Sequence, residues 1–188
     1  MKKRLTHIQQ RTPVFLGCEG ESEQAYGQVL NDLIRSKNIP IHIEVVNLSP
    51  GAGDPQSRIS RATKEIVRRS PRRGNFELKV VLLDLDQVQH FPQRRLDAER
   101  AAADAEINIV WQEPCHEGLL LRHLAGCATL RPPSNSAALQ ALIGQWQDYR
   151  KPMTKNLLSR RIGYDEVLQA AQVEPLLANF LRQVKILD

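Results

Sequence analysis

The feature that most constrains the fold is an alternation of short apolar runs with longer segments of helical period. The apolar runs cover residues 14–18, 41–48, 78–83 and 107–111. Each run is short enough for a buried strand, and the segments between them are long enough for a crossover helix. The resulting order, β-α-β-α-β-α-β, predicts an α/β fold with a mainly parallel sheet and helices on both faces.

After residue 111 the pattern is helical only. Predicted helices cover residues 22–36, 56–69, 92–105, 115–124, 137–146 and 173–184. Ser22 stands where the N-cap of the first helix is expected. At 188 residues the chain is long enough for one hydrophobic core, so we expect one domain over residues 1–188 with a C-terminal helical extension over residues 126–188.

Nothing in the sequence indicates export or a membrane span. No stretch approaches the roughly 18 consecutive apolar residues of a spanning helix, and no apolar run of the kind found in secretory signals follows the basic residues 1–12. The cysteines Cys18, Cys115 and Cys127 form neither an even framework nor a CxxC pair, which fits reduced thiols. We therefore expect a cytoplasmic protein with no membrane partner.

Acidic residues follow two of the predicted strands, at the point where each strand ends. Glu19 and Glu23 come after the first apolar run, and Asp84 and Asp86 come after the third. The carboxyl ends of parallel strands share one edge of the sheet, which is where open α/β sheets bind their ligands. Asp84 and Asp86 are two positions apart, so in an extended segment their side chains point the same way.

Carboxylates that converge in this way can hold Mg²⁺ (or Mn²⁺), because this ion takes few protein ligands and completes its shell with water and substrate phosphate. We expect Glu19, Asp84 and Asp86 to hold the ion, with Glu19 either a ligand or the group that handles a proton. Glu23 is expected to support them. The pattern predicts a metal-dependent phosphodiester hydrolase. The alternative is that Asp-x-Asp is only a loop start or a helix cap.

A basic helix gives the first part of the chain its positive charge. Residues 1–74 carry 13 Lys and Arg against 7 Asp and Glu, whereas the remaining residues carry 13 against 14. Such a field favours polyanions, because contacts with phosphates release counterions. Pro71 is expected to end this helix. Its residues and those just after it are predicted to bind a nucleic-acid backbone through Arg58, Arg61, Lys64, Arg68, Arg72 and Arg73. The alternative is an ordinary solvated helix face.

The first acidic motif resembles that of a known family. The motif runs Cys18-Glu19-Gly20-Glu21-Ser22-Glu23, with Tyr26 in register, and a later strand ends in Asp84-Leu85-Asp86. This combination resembles the RloB-like family and, more broadly, the Toprim fold that topoisomerases, primases and OLD-type nucleases share.

A second segment, residues 113–123 (EPCHEGLLLRH), is similar to a later motif of the same family. Pro114, Cys115, Glu117 and His123 match it, whereas Glu113, His116 and Leu119 replace an Asn, a Phe and a Trp. Tyr149-Arg150-Lys151 is similar to a Tyr-x-Lys found late in the family. The resemblance implies a Toprim-like (Rossmann-like) core over residues 13–125.

What the resemblance implies about function is a Toprim nuclease of antiphage, abortive-infection or restriction-associated systems, often encoded beside an ABC-type ATPase. It adds Glu117, His123 and Lys151 to the catalytic set. His123 would act on a leaving-group proton or bind phosphate, and Lys151 would neutralise a phosphate near the metal. The alternative for His123 is a buried hydrogen bond inside a core helix.

Other interpretations stay open. A non-catalytic Toprim-like subunit that binds an ATPase partner is the main alternative, and phosphoryl transfer or nucleotide polymerisation is another. The absence of a Gly-rich P-loop disfavours ATP hydrolysis by this chain, and the adjacent Cys115 and His116 disfavour a zinc site with His123 and Cys127. The sequence decides neither between DNA and RNA as target nor whether the chain forms a homo-oligomer.

Overall fold

Four parallel strands form the sheet in the order β2-β1-β3-β4. The computed structural model describes residues 11–49 and 54–188. The strands are β1 (Thr12–Cys18), β2 (Ile41–Asn47), β3 (Leu78–Asp84) and β4 (Asn108–Gln112). The helices are α1 (Glu21–Ser36), α2 (Pro55–Arg73), α3 (Asp86–Gln89), α4 (Pro92–Asp104), α5 (His116–His123), α6 (Asn135–Gln145), α7 (Lys155–Leu158), α8 (Tyr164–Val173) and α9 (Pro175–Gln183). The predicted α/β fold with a parallel sheet is confirmed, and it is consistent with a Rossmann-like or Toprim-like arrangement.

The strand order reverses direction at β1. The chain moves from β1 to β2 on one side and then crosses back to place β3 on the other side of β1. Cys18 at the end of β1 is in register with Asn47 of β2 and Leu82 of β3. Such a reversal leaves a crevice between the two crossovers at the carboxyl edge of the sheet, here between β1 and β3.

Helices cover both faces of the sheet. In β1, Val14 and Leu16 belong to a large core cluster with α1, α5 and the helical extension, whereas Phe15 belongs to a second cluster with α2 and α4. This alternation is the period of two expected for a strand buried on both faces. The extension therefore adds its apolar residues to the same core as the sheet.

The first helix begins one residue earlier than expected. Its N-cap is Gly20 rather than Ser22, and α1 starts at Glu21. The Ser22 hydroxyl instead accepts a hydrogen bond from the backbone N–H of Met153 (3.1 Å) in the extension. The N-cap prediction for Ser22 is wrong because this hydroxyl has a tertiary partner.

Helix α2 continues through Pro71, which was expected to end it. The helix begins after Asp54, whose carboxylate accepts the Ser57 N–H (3.0 Å), and it ends at Gly74 with a φ of 83°. Proline removes the donor for the carbonyl four residues earlier, and Val67 in that turn is 68% exposed, so water can take the donor's place. Residues 50–53 of the turn-rich loop before α2 lie outside the described residues, as do residues 1–10.

The helix predicted at residues 173–184 is α9, and α8 precedes it. Pro175 occupies the first turn of α9, where its missing N–H costs nothing, so the chain breaks at Glu174 between the two helices. The short helices α3 and α7 were not expected either. Within the part of the chain that the structure describes, no helix has the length and apolar character of a membrane span.

Candidate active site

A crevice of about 370 Å³ lies where the strand order reverses, at the carboxyl edge of β1 and β3. It is lined by Glu19, Gly20, Glu21, Ser22, Glu23, Asp84, Lys151 and Pro152. Four predicted site residues, Glu19, Glu23, Asp84 and Lys151, therefore meet in one place. The N-terminus of α1 also lies at this crevice, and its macrodipole favours an anion there.

Glu19 is tied directly to the end of β3. Its Oε2 accepts the backbone N–H of Asp84 (3.3 Å), and its Oε1 accepts a hydrogen bond from the Gln87 amide. The Arg58 guanidinium lies 3.8 Å from Oε1. Burial raises the pKa of Glu19, and this outweighs the lowering by the two hydrogen bonds and by Arg58.

The pKa of Asp84 is perturbed more strongly than that of Glu19. Its Oδ1 accepts the backbone N–H of His116 at the start of α5 (2.9 Å). Burial, followed by repulsion from the carboxylates of Glu23, Glu19, Asp86 and Glu117, raises its pKa well above the ordinary value. Negative charge is in excess here, because Arg58 and Lys151 are outnumbered by these carboxylates, and a bound cation would reduce the repulsion.

Asp86 does not point with Asp84 as an extended segment would require. Leu85 between them has helical dihedrals (φ −75°, ψ −26°), and Asp86 begins α3. The backbone N–H groups of Leu85 and Asp86 bond to the carbonyls of Gln112 (2.9 Å) and Pro114 (3.0 Å), which turns the chain at this point. Asp86 Oδ2 accepts a hydrogen bond from the Asn135 amide of α6, and the expectation of paired aspartates on one side is corrected.

Glu23 is buried, yet its carboxylate receives no hydrogen bond or ion pair from the described residues. It is 7% exposed in the first turn of α1, and it lines the crevice. Among the neighbouring carboxylates, Glu23 makes the largest contribution to the raised pKa of Asp84. Glu23 is therefore a free acceptor beside the most perturbed acid of the site.

Glu117 joins the extension to the site. Its Oε1 accepts hydrogen bonds from the Tyr149 hydroxyl (2.7 Å) and the Lys151 ammonium (2.5 Å), and its Oε2 accepts the Cys115 thiol (3.2 Å). Burial raises the pKa of Glu117, but the hydrogen bonds from Lys151 and Tyr149 outweigh it and the pKa is lowered. Lys151 is half-exposed at the crevice, so Glu117 holds a cation at the mouth.

His123 lies in the core and does not reach the crevice. Its Nδ1–H donates to the Leu119 carbonyl (2.9 Å), which leaves Nε2 to accept the Tyr26 hydroxyl (3.0 Å). Burial lowers the pKa of His123 to about 4. The structure thus places His123 in the buried hydrogen bond that was the alternative to a catalytic role.

The basic residues of α2 do not form one solvated stripe. Arg58 is 7% exposed, and its guanidinium donates a hydrogen bond to the Leu48 carbonyl (2.8 Å). This contact joins the start of α2 to the residue that follows β2. Arg68 pairs with Glu65 (2.7 Å), and Arg73 pairs with Glu44 (3.1 Å). Lys64 and Arg72 are exposed, and Arg61 is half-buried. The expected grouping of Arg58 with the exposed cations is corrected.

The carboxylate oxygens of these acids are the donor type that a hard cation prefers, but the side chains are not arranged around one common point. Within residues 11–49 and 54–188, no three His, Cys, Asp or Glu side chains are placed to hold an ion together. Asp86 is turned towards Asn135, which leaves Glu19 and Asp84 as the connected pair. Mg²⁺ needs only one or two protein carboxylates when water and phosphate complete its shell. The three-carboxylate site stays a prediction.

Sequence reasoning missed the amide partners of the acids. Gln87 holds Glu19, and Asn135 holds Asp86. Buried oxygens Oδ1 of Asp86, Oε1 of Gln87 and Oδ1 of Asn135 have no hydrogen-bond partner in the described structure. Amide residues have no periodic or charge signal, and Asn135 precedes the helix predicted at residues 137–146, so only the fold could reveal these contacts.

The model of the family described as RloB-like protein matches residues 14–177, which covers the sheet, the crevice and most of the extension. No curated protein and no solved structure matches the chain.

Proposed function

We propose that this chain, which belongs to the RloB-like family, is a Mg²⁺-dependent Toprim-type nuclease that hydrolyses phosphodiester bonds at the acidic crevice. The observation that carries the proposal is the contact between Glu19 and Asp84 at the reversal of the sheet, within a group of carboxylates that raises the pKa of Asp84. Repelling carboxylates at a ligand-binding edge indicate a cation site rather than a structural one.

Glu19 and Asp84 would hold the ion, which when bound polarises a phosphoryl oxygen and stabilises the charge that develops on it. Glu23 accepts no hydrogen bond in the described structure and faces the same crevice, so it would accept the proton of the attacking water. Lys151, held by Glu117, would bind a non-bridging oxygen of the same phosphate. Asp86 would align Asn135 at the wall of the site.

The decisive experiment measures Mg²⁺-stimulated cleavage of labelled DNA and RNA by Asp84→Asn and Glu19→Gln. Both variants should lose cleavage while their circular dichroism spectra stay native. Asp104→Asn and Glu77→Gln are matched controls, because both are exposed residues outside the crevice. Cleavage at the wild-type rate by both site variants would refute the nuclease.

We extend the proposal to an antiphage, abortive-infection or restriction-associated role in the cytoplasm, together with an ABC-type ATPase. Support for this step is the family alone. Co-purification of the chain with an ATPase encoded beside its gene, and loss of phage protection by the Asp84→Asn variant, would test it.

One observation favours the alternative of a non-catalytic regulatory subunit. No three metal-binding side chains converge in the described residues, and Asp86 is engaged by Asn135. Titration calorimetry with Mg²⁺ and Mn²⁺ separates the two functions. Binding of either ion to the wild type but not to Asp84→Asn supports the nuclease, whereas no binding together with a stable ATPase complex supports the regulatory subunit.

A further inference from the structure

Helix α2 runs away from the crevice. It begins after Asp54, near the carboxyl edge of the sheet, and ends at Gly74, just before β3 starts at the opposite edge. Arg58 in its first turn contacts Glu19 of the crevice. Arg68 and Arg72 follow 10 and 14 residues later, which at 1.5 Å per residue places them about 15 to 21 Å along the helix from Arg58.

A basic cleft occupies this distant end of α2. It has a volume of about 420 Å³ and is lined by Glu44, Arg68, Arg69, Arg72 and Arg73. Four guanidinium groups therefore surround one carboxylate. The second carboxylate nearby, Glu65, pairs with Arg68 and Arg69, so the cleft keeps a surplus of positive charge.

The cleft is built on a buried anchor. Glu44 of the edge strand β2 is 8% exposed, and it receives Arg69 Nη1 (2.6 Å) and Arg73 Nε (3.1 Å). These contacts hold two guanidiniums in place and reduce the side-chain entropy that a ligand would otherwise have to remove. Arg72 makes no ion pair with any residue that the structure describes, and it is exposed at the rim.

The chemistry of the cleft selects phosphate over a base. Guanidinium groups bind phosphate oxygens through two parallel hydrogen bonds, and the lining residues offer no aromatic ring on which a base could stack. Arg61, Lys64, Arg68 and Arg72 recur at i, i+3, i+7 and i+11, so one face of α2 leads from the crevice side towards the cleft.

We propose that this cleft, which we call the distal clamp, binds the nucleic-acid backbone four to six phosphates away from the bond at the crevice. The spacing follows from about 15 to 21 Å of helix and about 3.4 Å of rise per phosphate along one strand of a duplex. An extended single strand covers the same distance with somewhat fewer phosphates. The inference rests on the proposed function for the identity of the crevice. It assigns different roles to the two ends of α2, with Arg58 at the crevice and the distal clamp at the far end.

The test uses the full chain in EDTA, so that binding is measured without cleavage. Fluorescence anisotropy gives the dissociation constants of dye-labelled oligothymidylates of 4, 8, 12 and 20 nucleotides over a series of salt concentrations. The double variant Arg68→Gln/Arg72→Gln should bind the 12- and 20-mers more weakly than the wild type. Its slope of log affinity against log salt should be smaller by about 1.4, the value for two lost contacts with a single strand.

Three outcomes with the oligothymidylates would overturn the distal clamp. They are an unchanged salt slope with the 20-mer, an equal loss of affinity for the 4-mer, and a similar loss in Arg160→Gln/Arg182→Gln, a control that removes two exposed arginines from the extension. Oligouridylates should behave as oligothymidylates do, and a loss confined to one polymer would also refute backbone binding. If the slope changes but Mg²⁺ never stimulates cleavage, the clamp stands and the nuclease fails. If Mg²⁺ stimulates cleavage but the salt slope is unchanged, the nuclease stands and the distal clamp fails.

Discussion

Replacement of Asp84 by Asn should stabilise the folded protein at pH 7. The Asn side chain keeps an oxygen for the His116 N–H, 2.9 Å away in the wild type, and removes only the negative charge. Weakening that charge-assisted hydrogen bond costs about 1 kcal/mol. Burial and repulsion from four carboxylates raise the pKa of Asp84 well above its ordinary value, which means that the folded state disfavours its ionised form at pH 7.

Relief of this burial and repulsion should outweigh the weakened hydrogen bond, so the variant should be the more stable protein. A net gain of about 1 kcal/mol would raise the Tm by about 2 to 4 °C in a chain of this length. Below about pH 4 the carboxyl group carries its proton in both folded and unfolded chains, and the two proteins should unfold alike. As the pH rises, the unfolded wild-type chain loses this proton first. The advantage of the variant should therefore appear above about pH 4 and then level off.

Differential scanning calorimetry across pH 3.5 to 8, with and without Mg²⁺, measures both effects. Mg²⁺ should raise the Tm of the wild type and leave that of Asp84→Asn unchanged, because a ligand stabilises only the state that binds it. Asp104→Asn, which changes an exposed aspartate, should match the wild type throughout. A variant less stable than the wild type at pH 7 would refute the repulsive cluster.

Three further perturbations test other parts of the site. Burial lowers the pKa of Lys151 but Glu117 raises it by more, so Glu117→Gln should lower the pKa of the ammonium in an NMR titration, and an unchanged value would contradict the pairing. A Cβ at Gly118 would lie 2.6 Å from the Glu113 carbonyl oxygen, so Gly118→Ala should cost about 1 to 3 kcal/mol of unfolding free energy. Gly144→Ala, which has open space, should cost nothing, and equal effects in urea denaturation would argue against the close packing. Burial lowers the pKa of His123 to about 4, so the unfolded chain takes up this proton first and stability should fall, on the order of 3 kcal/mol, as the pH drops from about 6.5 to 4. His123→Phe should flatten that decline, and an identical pH profile would show that other groups cause it.

The sequence was sufficient for the strands and for the meeting of Glu19 with Asp84. Apolar runs separated by crossover-length helices permit few arrangements, and the end of each strand in a parallel sheet is fixed at one edge. The position of Glu19 and Asp84 therefore follows from chain order alone. The resemblance to the family was also accessible from short motifs near these strand ends, and the family match over residues 14–177 confirms it.

The orientation of side chains beyond the strand ends could not be read from the sequence. Asp86 turns away because Leu85 adopts helical dihedrals, which depends on backbone bonds to Gln112 and Pro114. Arg58 is buried although its helical spacing matches that of the exposed cations, because periodicity does not tell how far the end of a helix is covered. His123 was ambiguous for the same reason, since only the position of Tyr26 decides its partner.

The contacts of the extension have a consequence for the order in which the site is made. Every crevice acid lies within the first 117 residues, whereas Asn135, Tyr149 and Lys151 come from later in the chain. A nascent or truncated polypeptide that stops before Asn135 would carry all the repelling carboxylates and none of these stabilising partners. During synthesis, the chain would therefore complete the crevice only after most of it has been translated. If the crevice is the proposed nuclease site, this order keeps the unfinished chain from cleaving the cell's own nucleic acid.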